Sequence, residues 1–528
     1  MILFLTPPFV QLNTPYPATP SLVGFLSSRG YRCTQRDLSI EVALEVLRTF
    51  GDEFADEAIE ILQNPHLPGE AKVETTAYID DLALWIRDNV DPDFGFSRYA
   101  ERLGVAVPDF GLILRRLRRR NPIDRILEEK VEEILNEIQP RIVGVTCPFP
   151  GTLLGAFRIA QTIRRLDPTV QIVLGGGYVN TELRDADDSR IGRFFDAVMY
   201  DEGYGPWLEY LEAFNSPNQT ISPSIPPFVK PSYEGLDLSL YMDLPESENP
   251  MHRLWSTGRW LKIQMARGCY WHKCAFCDVT LDYIKCFQMP KAETVVAAME
   301  ALARETGLKN PGFHFTDEAM PPALIERMCR EILHRGFKCR WWGNVRFDTA
   351  FTPKLARLMA RAGCIAVTGG LECAVDRLLK LMNKGITLAS AQSALTAFRD
   401  AGIMVHAYLM YGFPTQTEKE ALAALGHVRC FFREGLVQSA FFHRFALTVH
   451  SPIAKDPETY GIRVGTVTES PKGRRRPRVF ARNEIPFEEP GAPNWDSIGR
   501  GLRLALYNYM RGAGYSKPLA FWFRARGM

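Results

Sequence analysis

The sequence predicts an α/β protein built on two successive parallel sheets, and three observations carry that expectation. Short apolar segments alternate with amphipathic ones, six times over, through residues 259–449. A second alternation of the same kind occupies about the first 225 residues, broken by a long polar stretch. The chain has 528 residues, 46% hydrophobic and 23% charged, enough to fill more than one core.

The elements follow in order. "MILFL" (1–5) reads as a strand and not as a signal peptide, since Thr6 and Pro7 end the apolar run and no basic start precedes it. A helix is expected over 19–29 and a strand over 31–38. Residues 40–139 read as a charged helical excursion. Strands resume at 141–147, 171–177 and 195–203, with helices over 151–167 and 204–214. This is a doubly wound pattern, and such sheets bind ligands at the carboxyl ends of their strands. Those ends carry Thr6-Pro7-Pro8, Thr146, Gly175-Gly176-Gly177 and Asp201-Glu202-Gly203.

The second alternation predicts strands over 259–268, 312–319, 338–348, 364–372, 403–414 and 439–449. Helices are expected over 292–307, 322–336, 353–363, 388–402 and 418–435, several opened by Pro or closed by Gly. Six strand–helix units make a partial (β/α)6 barrel, whose active groups belong at the strand C-termini. The expected domains are 1–225, with its insertion at about 40–139, a linker over 226–258, the barrel over 259–455 and a small C-terminal extension over 456–528. The extension is expected to cover the open side of the barrel and, with the insertion, to select the substrate.

A net charge of +2 points to no special partner, and no apolar run reaches membrane-spanning length. The basic runs "RRLRRR" (115–120) and "KGRRRPR" (472–478) read as solvated surface, so a nucleic-acid partner is not expected. Eleven cysteines, mostly scattered singly, indicate reduced, cytoplasmic usage.

Three of those cysteines crowd into "RGCYWHKCAFCD" (267–278). An odd number argues against disulfides. Zinc prefers four ligands in separated pairs, and no second CxxC or HxxxH is present; His272 between the cysteines makes a cramped fourth ligand. Soft thiolates suit an iron–sulfur cluster, which takes four ligands, so three would leave one iron open.

The stretch resembles the cysteine motif of the radical S-adenosylmethionine (SAM) enzymes. Cys274-Ala275-Phe276-Cys277 matches the end of their CxxxCxxC pattern, with Cys269 one residue further away than usual. The resemblance implies a 4Fe–4S cluster on Cys269, Cys274 and Cys277. It also implies SAM contacts at Phe276, Asp317, Glu318, Gly370, Glu372, Lys384, Gly412 and Pro414, on the loop and on successive strand ends. The acidic groups would serve the amine and ribose of SAM, Lys384 its carboxylate, and Phe276 with the Gly412 turn its adenine. Singly each of these residues also reads as a surface pair or a turn.

The N-terminal domain looks like the Rossmann-like cobalamin-binding module that precedes the barrel in a large radical SAM subfamily. The resemblance implies cobalamin contacts at Thr6, Pro7, Thr146, Gly175, Gly176, Gly177, Glu202 and Gly203. A large side chain at Gly176 is then expected to fill the ligand groove. The subfamily's DxHxxG turn appears as Asp37-Leu38-Ser39, without a histidine to ligate cobalt, and its "GEGE" as "DEGY" (201–204). The activity implied is reductive cleavage of SAM and methylation of an unactivated carbon on a small-molecule or peptide substrate, with an electron donor such as flavodoxin or ferredoxin. Two alternatives stand beside it: the same architecture performing a radical rearrangement or cyclisation, and a cobalamin or iron–sulfur sensor without turnover. No residue is singled out as the catalytic group that touches the substrate.

Overall fold

The computed structural model describes the chain except residues 98, 102–108, 187, 216–224, 247–248, 257–258, 466–479 and 525–528. The basic run 472–478 thus lies outside the described residues. Two compact units are present. The first comprises Met1–Glu248, Trp255–Ile263 and Thr468–Asn483, the second Asn249–Leu254, Gln264–Val467 and Glu484–Met528.

The first unit holds a parallel sheet of β1 (Ile2–Thr6), β2 (Cys33–Asp37), β3 (Ile142–Thr146), β4 (Gln171–Gly175) and β5 (Ala197–Val198). Its order, β2-β1-β3-β4-β5, reverses between β1 and β3, which is the switch point where doubly wound sheets bind ligands. Every residue of β1 and β3 is buried, as a strand covered on both faces requires. Leu3 and Leu5 pack into one apolar layer, Ile2 and Phe4 into the other. β5 is two residues long, not the nine expected. Asp196, just before it, turns its carboxylate onto the Ile172 amide (2.7 Å) and Arg164 (2.5 Å), and beyond it the left-handed Asp201 and Gly203 turn the chain toward the next helix.

The excursion between β2 and β3 is helical, as expected, with helices Leu38–Phe50, Ala55–Gln63, Gly69–Asn89, Gly111–Leu117 and Pro122–Ile138. Its basic run is not uniformly solvated. Arg116 turns inward to Asp91 (2.6 Å) and Asp124 (2.8 Å). Arg158, on the next helix of the sheet, is fully buried against Asp124 and donates to the carbonyls of Leu117 and Arg119. The tail returns here as well: Phe480 stacks on Phe110 with centroids 4.5 Å apart.

The other sheet runs β11-β10-β9-β8-β7-β6, made of β6 (Leu261–Ile263), β7 (Gly312–Phe315), β8 (Arg340–Val345), β9 (Cys364–Glu372), β10 (Met404–Tyr411) and β11 (Ser439–Arg444). All registers from β7 to β11 are parallel. The crossovers are helices Ala292–Glu305, Pro322–Arg335, Pro353–Arg361, Leu388–Asp400 and Glu418–Arg433, close to expectation. β6 is three residues, not ten, because the amides of Met265 and Ala266 leave the ladder for the carboxylate of Asp317, each at 2.8 Å. On β10, Val405, Ala407 and Leu409 point to the helices and His406 and Tyr408 to the other face. In the tail, helix Trp495–Tyr509 packs on β11 and on helix Glu418–Arg433, with Arg503 donating to the Tyr411 hydroxyl at 2.7 Å. Among the described residues no helix is long and apolar enough to cross a membrane.

Candidate active site

The cysteine loop leaves β6 and is fixed from several sides. The Cys269 amide donates to Ile284 O at 2.9 Å, and Arg267 and Gln288 exchange backbone bonds. The segment after Glu372 supplies the main clamp. Trp271 Nε1 donates to Asn383 O and Asn383 Nδ2 to Lys273 O, both at 2.9 Å, and the Ala275 amide to Met382 O at 2.8 Å. The Trp271 ring lies where a Cβ at Gly385 would be, 2.1 Å from it, so only glycine admits the contact. Arg346 lies over that ring at 4.5 Å and donates to Lys384 O. "LMNKG" (381–385) is therefore the mould of the loop as well as the source of Lys384.

The loop's thiols sit among charges. Burial raises the Cys274 thiol, and the cations Lys384 and Arg346 oppose that rise. Burial, then the neighbouring Cys274 and the Glu318 carboxylate, raise Cys277 further. Thiolates are the form that binds metal, and a bound cationic centre would relieve this cost. Among the described residues no three His, Cys, Asp or Glu side chains close around a single ion. A cluster asks for wider spacing, since each thiolate meets a different iron.

Beside the thiols, Lys384 Nζ meets Glu372 Oε1 at 2.6 Å, with both residues buried. Burial works against the ammonium, but Glu372 and Cys274 outweigh it and raise its pKa. Gly370 makes room for the pair: a Cβ there would lie 2.0 Å from Glu372 Oε1 and 2.6 Å from Lys384 Nζ. Glu372 itself has a positive φ of 52°, a strained setting for a side chain that the site holds in place. Phe276 is half-buried, with its ring 5.7 Å from Lys384 Nζ. Glu318 is accessible yet closely surrounded, so burial raises its carboxyl above the ordinary range.

One expected SAM contact is used otherwise. Asp317 is fully buried, and both its oxygens hold the Met265 and Ala266 amides; burial pushes its pKa up to about 7 against those bonds. It positions the cysteine loop. Gly412 has φ 73°, and the space beside it belongs to Trp495, 3.4 Å from a Cβ built there. Pro414 follows it and is buried. Sequence reasoning missed Arg346, Trp271 and Asn383. The only local signals were a cation at a strand end and an aromatic among the cysteines, and neither names its partner.

At the switch point of the first unit, the hydroxyls of Thr6 and Thr146 are buried and, among the described residues, lack a hydrogen-bond partner. Buried polar atoms are ordinarily satisfied, so two orphans at the carboxyl ends of adjacent strands mark a place for a ligand group. Pro7 is buried next to them. The glycines do something different from what was expected. Gly176, at φ 115°, presses on the Cys147 backbone, 2.7 Å from a built Cβ, and Gly177 on Pro148 O at 3.0 Å. They serve loop-on-loop packing, so a bulky residue at Gly176 would break the fold there before it filled a groove. Gly175 ends β4, and a Cβ there would make ordinary contact with Met199. Asp201 is held by Arg184 at 2.5 Å; Glu202 is half-buried, and Gly203, with φ 76°, turns the chain into helix Tyr204–Asn215. Asp37 is buried under the Tyr241 hydroxyl (2.7 Å) and runs directly into helix Leu38–Phe50, leaving no loop to carry a cobalt ligand.

Residues 263–427, which contain the cysteine loop and the Glu372–Lys384 pair, match the model of the Radical SAM superfamily. That stretch, about a third of the chain, is similar to the superfamily's radical SAM domain. The chain is 24% identical over 319 residues to an uncharacterized methyltransferase of Pyrococcus horikoshii, covering 56% of the chain and 65% of the relative. It is 23% identical over 318 residues to the anaerobic magnesium-protoporphyrin IX monomethyl ester cyclase of Rubrivivax gelatinosus, covering 55% and 54%. The chain thus spans less than two thirds of the length of these curated relatives. Its fold matches that of TsrM from Kitasatospora setae, a radical SAM methyltransferase solved with cobalamin and a [4Fe–4S] cluster bound. That match has a TM-score of 0.58 at 16% identity, over 96% of this chain and 88% of the other. At such identity the likeness is one of fold, and it extends over both sheets.

Proposed function

We propose that this protein is a radical SAM enzyme, a cobalamin-dependent methyltransferase acting on an unreactive carbon. The observation that carries the reading is the clamped three-cysteine loop beside a preformed Glu372–Lys384 pair. Cys269, Cys274 and Cys277 would hold a 4Fe–4S cluster. A carboxylate and an ammonium side by side are the complement of the amine and carboxylate of SAM, so Glu372 and Lys384 would orient it. Phe276 supplies an apolar flank, and Asp317 with Arg346 keeps the loop in register. Thr6 and Thr146 would bond a corrinoid at the switch point. When bound, these groups would supply a carbon radical that removes hydrogen from substrate and a methyl group that replaces it.

The cyclase relatives favour a second reading, a radical ring closure by the same machinery. One experiment addresses both. Anaerobically reconstituted protein should carry about four iron and four sulfide, and Cys269→Ala, Cys274→Ala and Cys277→Ala should each abolish them, whereas Cys147→Ala should not. Reduced with dithionite and given SAM, the loaded wild type should release 5′-deoxyadenosine. Methyl-labelled SAM then separates methyl transfer from cyclisation once a substrate is in hand. Zinc without sulfide would sink the proposal.

A further inference from the structure

The fold treats the two faces of β11 differently. Ala440 and Phe442 are buried. Phe441, on the opposite face, keeps 49% of its surface, and His443 is exposed beside it, the two rings 4.4 Å apart and inclined by 51°. Register sets Phe441 opposite Tyr408 and His443 opposite Met410. The Tyr408 ring is 6.5 Å from that of His443. One step earlier, His406 Nδ1 and Ser439 Oγ meet at 2.9 Å on the same face. This wall continues the site described above, because register sets Tyr408 opposite Gly370 and Leu409 opposite Glu372, the partner of Lys384. Barrel interiors are ordinarily filled by their own side chains. A half-exposed phenyl next to an exposed imidazole on the inner face, taken up by none of the cluster or SAM assignments, is therefore a surface left for another molecule.

We infer that Phe441 and His443 form the substrate-facing wall of the site, and that the substrate presents to it a planar aromatic or conjugated ring with a hydrogen-bonding group on its edge. Phe441 takes the ring in offset or edge-to-face stacking. His443 meets the polar edge, and Tyr408 borders the ring on the neighbouring strand. The inference rests on the functional reading given above, and it gives that reading a substrate class.

The test is binding of 2-naphthol, a flat ring with one hydroxyl, against its saturated counterpart decahydro-2-naphthol, by saturation-transfer NMR on the reconstituted protein. The expected result is a preference of about tenfold for the flat alcohol, in line with one aromatic contact. Phe441→Ala should erase the preference and Phe441→Tyr keep it. His443→Gln should weaken the flat alcohol without reversing the order. Where Phe441→Ala loses cooperative melting, Phe441→Leu decides, since it keeps bulk and lacks the ring. Equal affinity for the two alcohols in the wild type, or a preference that survives Phe441→Leu, overturns the inference. Wild-type release of 5′-deoxyadenosine is scored separately: its absence would defeat the functional reading and leave the naphthol comparison to stand or fall by itself.

Discussion

At the scale of single residues, the site depends on what is missing as much as on what is present. Gly370 contributes no atom to the Glu372–Lys384 pair, yet its bare Cα is what lets the pair form. Gly370→Ala would place a methyl group 2.0 Å from Glu372 Oε1. The expected outcome is displacement of the pair and slower SAM cleavage by about a hundredfold, as misplacement near 1 Å can cost, with iron content kept because the thiols are held elsewhere. Loss of iron in step with activity would show that the pair supports the loop and not the ligand. Asp317 is the converse case. Read from sequence it is an acidic group at a strand end, free to meet a ligand. In the fold it is the buried acceptor that ends β6 and starts the cysteine loop.

At the scale of elements, the helical insertion is tied down by charge. Arg158 lies fully buried between Asp124 and Glu128, which also receive Arg116 and Arg120. Arg158→Leu should cost about 3–5 kcal/mol in urea denaturation, because it removes the buried cation of the network and its donors to the carbonyls of Leu117 and Arg119. A change under about 1 kcal/mol, the range of exposed pairs, would mean that the network is solvated. The same elements show what was legible in the sequence. β9 is legible to the residue, since Gly363 closes the helix before it and Glu372 ends its apolar run. β6 is shorter than the sequence suggests because Asp317, which takes the amides that follow it, stands 51 positions and more away; β5 is shorter because the turn through Asp201 and Gly203 follows it closely. Arg116 was lost in a basic run, since its partners Asp91 and Asp124 stand apart from it in sequence. The clamp on the cysteine loop joins Lys273 to Asn383 across 110 positions, a distance over which one sequence carries no pairing signal.

At the scale of the whole molecule, stability should carry a pH signature from buried carboxyls. Burial pushes Asp37 up to about 6, against the bonds from Tyr241 and Ser39. Its folded pKa exceeds the unfolded one, so the folded chain keeps a proton that the unfolded chain releases. The stability it contributes is complete below about pH 4 and is lost as the pH rises through about 6. Asp37→Asn keeps an oxygen to accept from the Ser39 amide, offers its NH2 to the Tyr241 hydroxyl oxygen, and cannot titrate. Between pH 4 and 7 the wild type should lose on the order of 2 kcal/mol relative to this variant. Parallel pH profiles for the two proteins would place the titration elsewhere.

The clamp on the cysteine loop has a bearing on how the protein lives without its metal. A zinc finger gains its fold from the ion, so its ligands surrender their conformational freedom at the moment of binding. Here tryptophan, arginine and asparagine contacts have already taken that freedom from the loop. Metal arrives at a finished mould, and little of its binding energy goes into ordering the chain. Iron-starved cells would therefore hold a reserve of folded, idle protein that can be charged when iron returns, with no need to make the chain again.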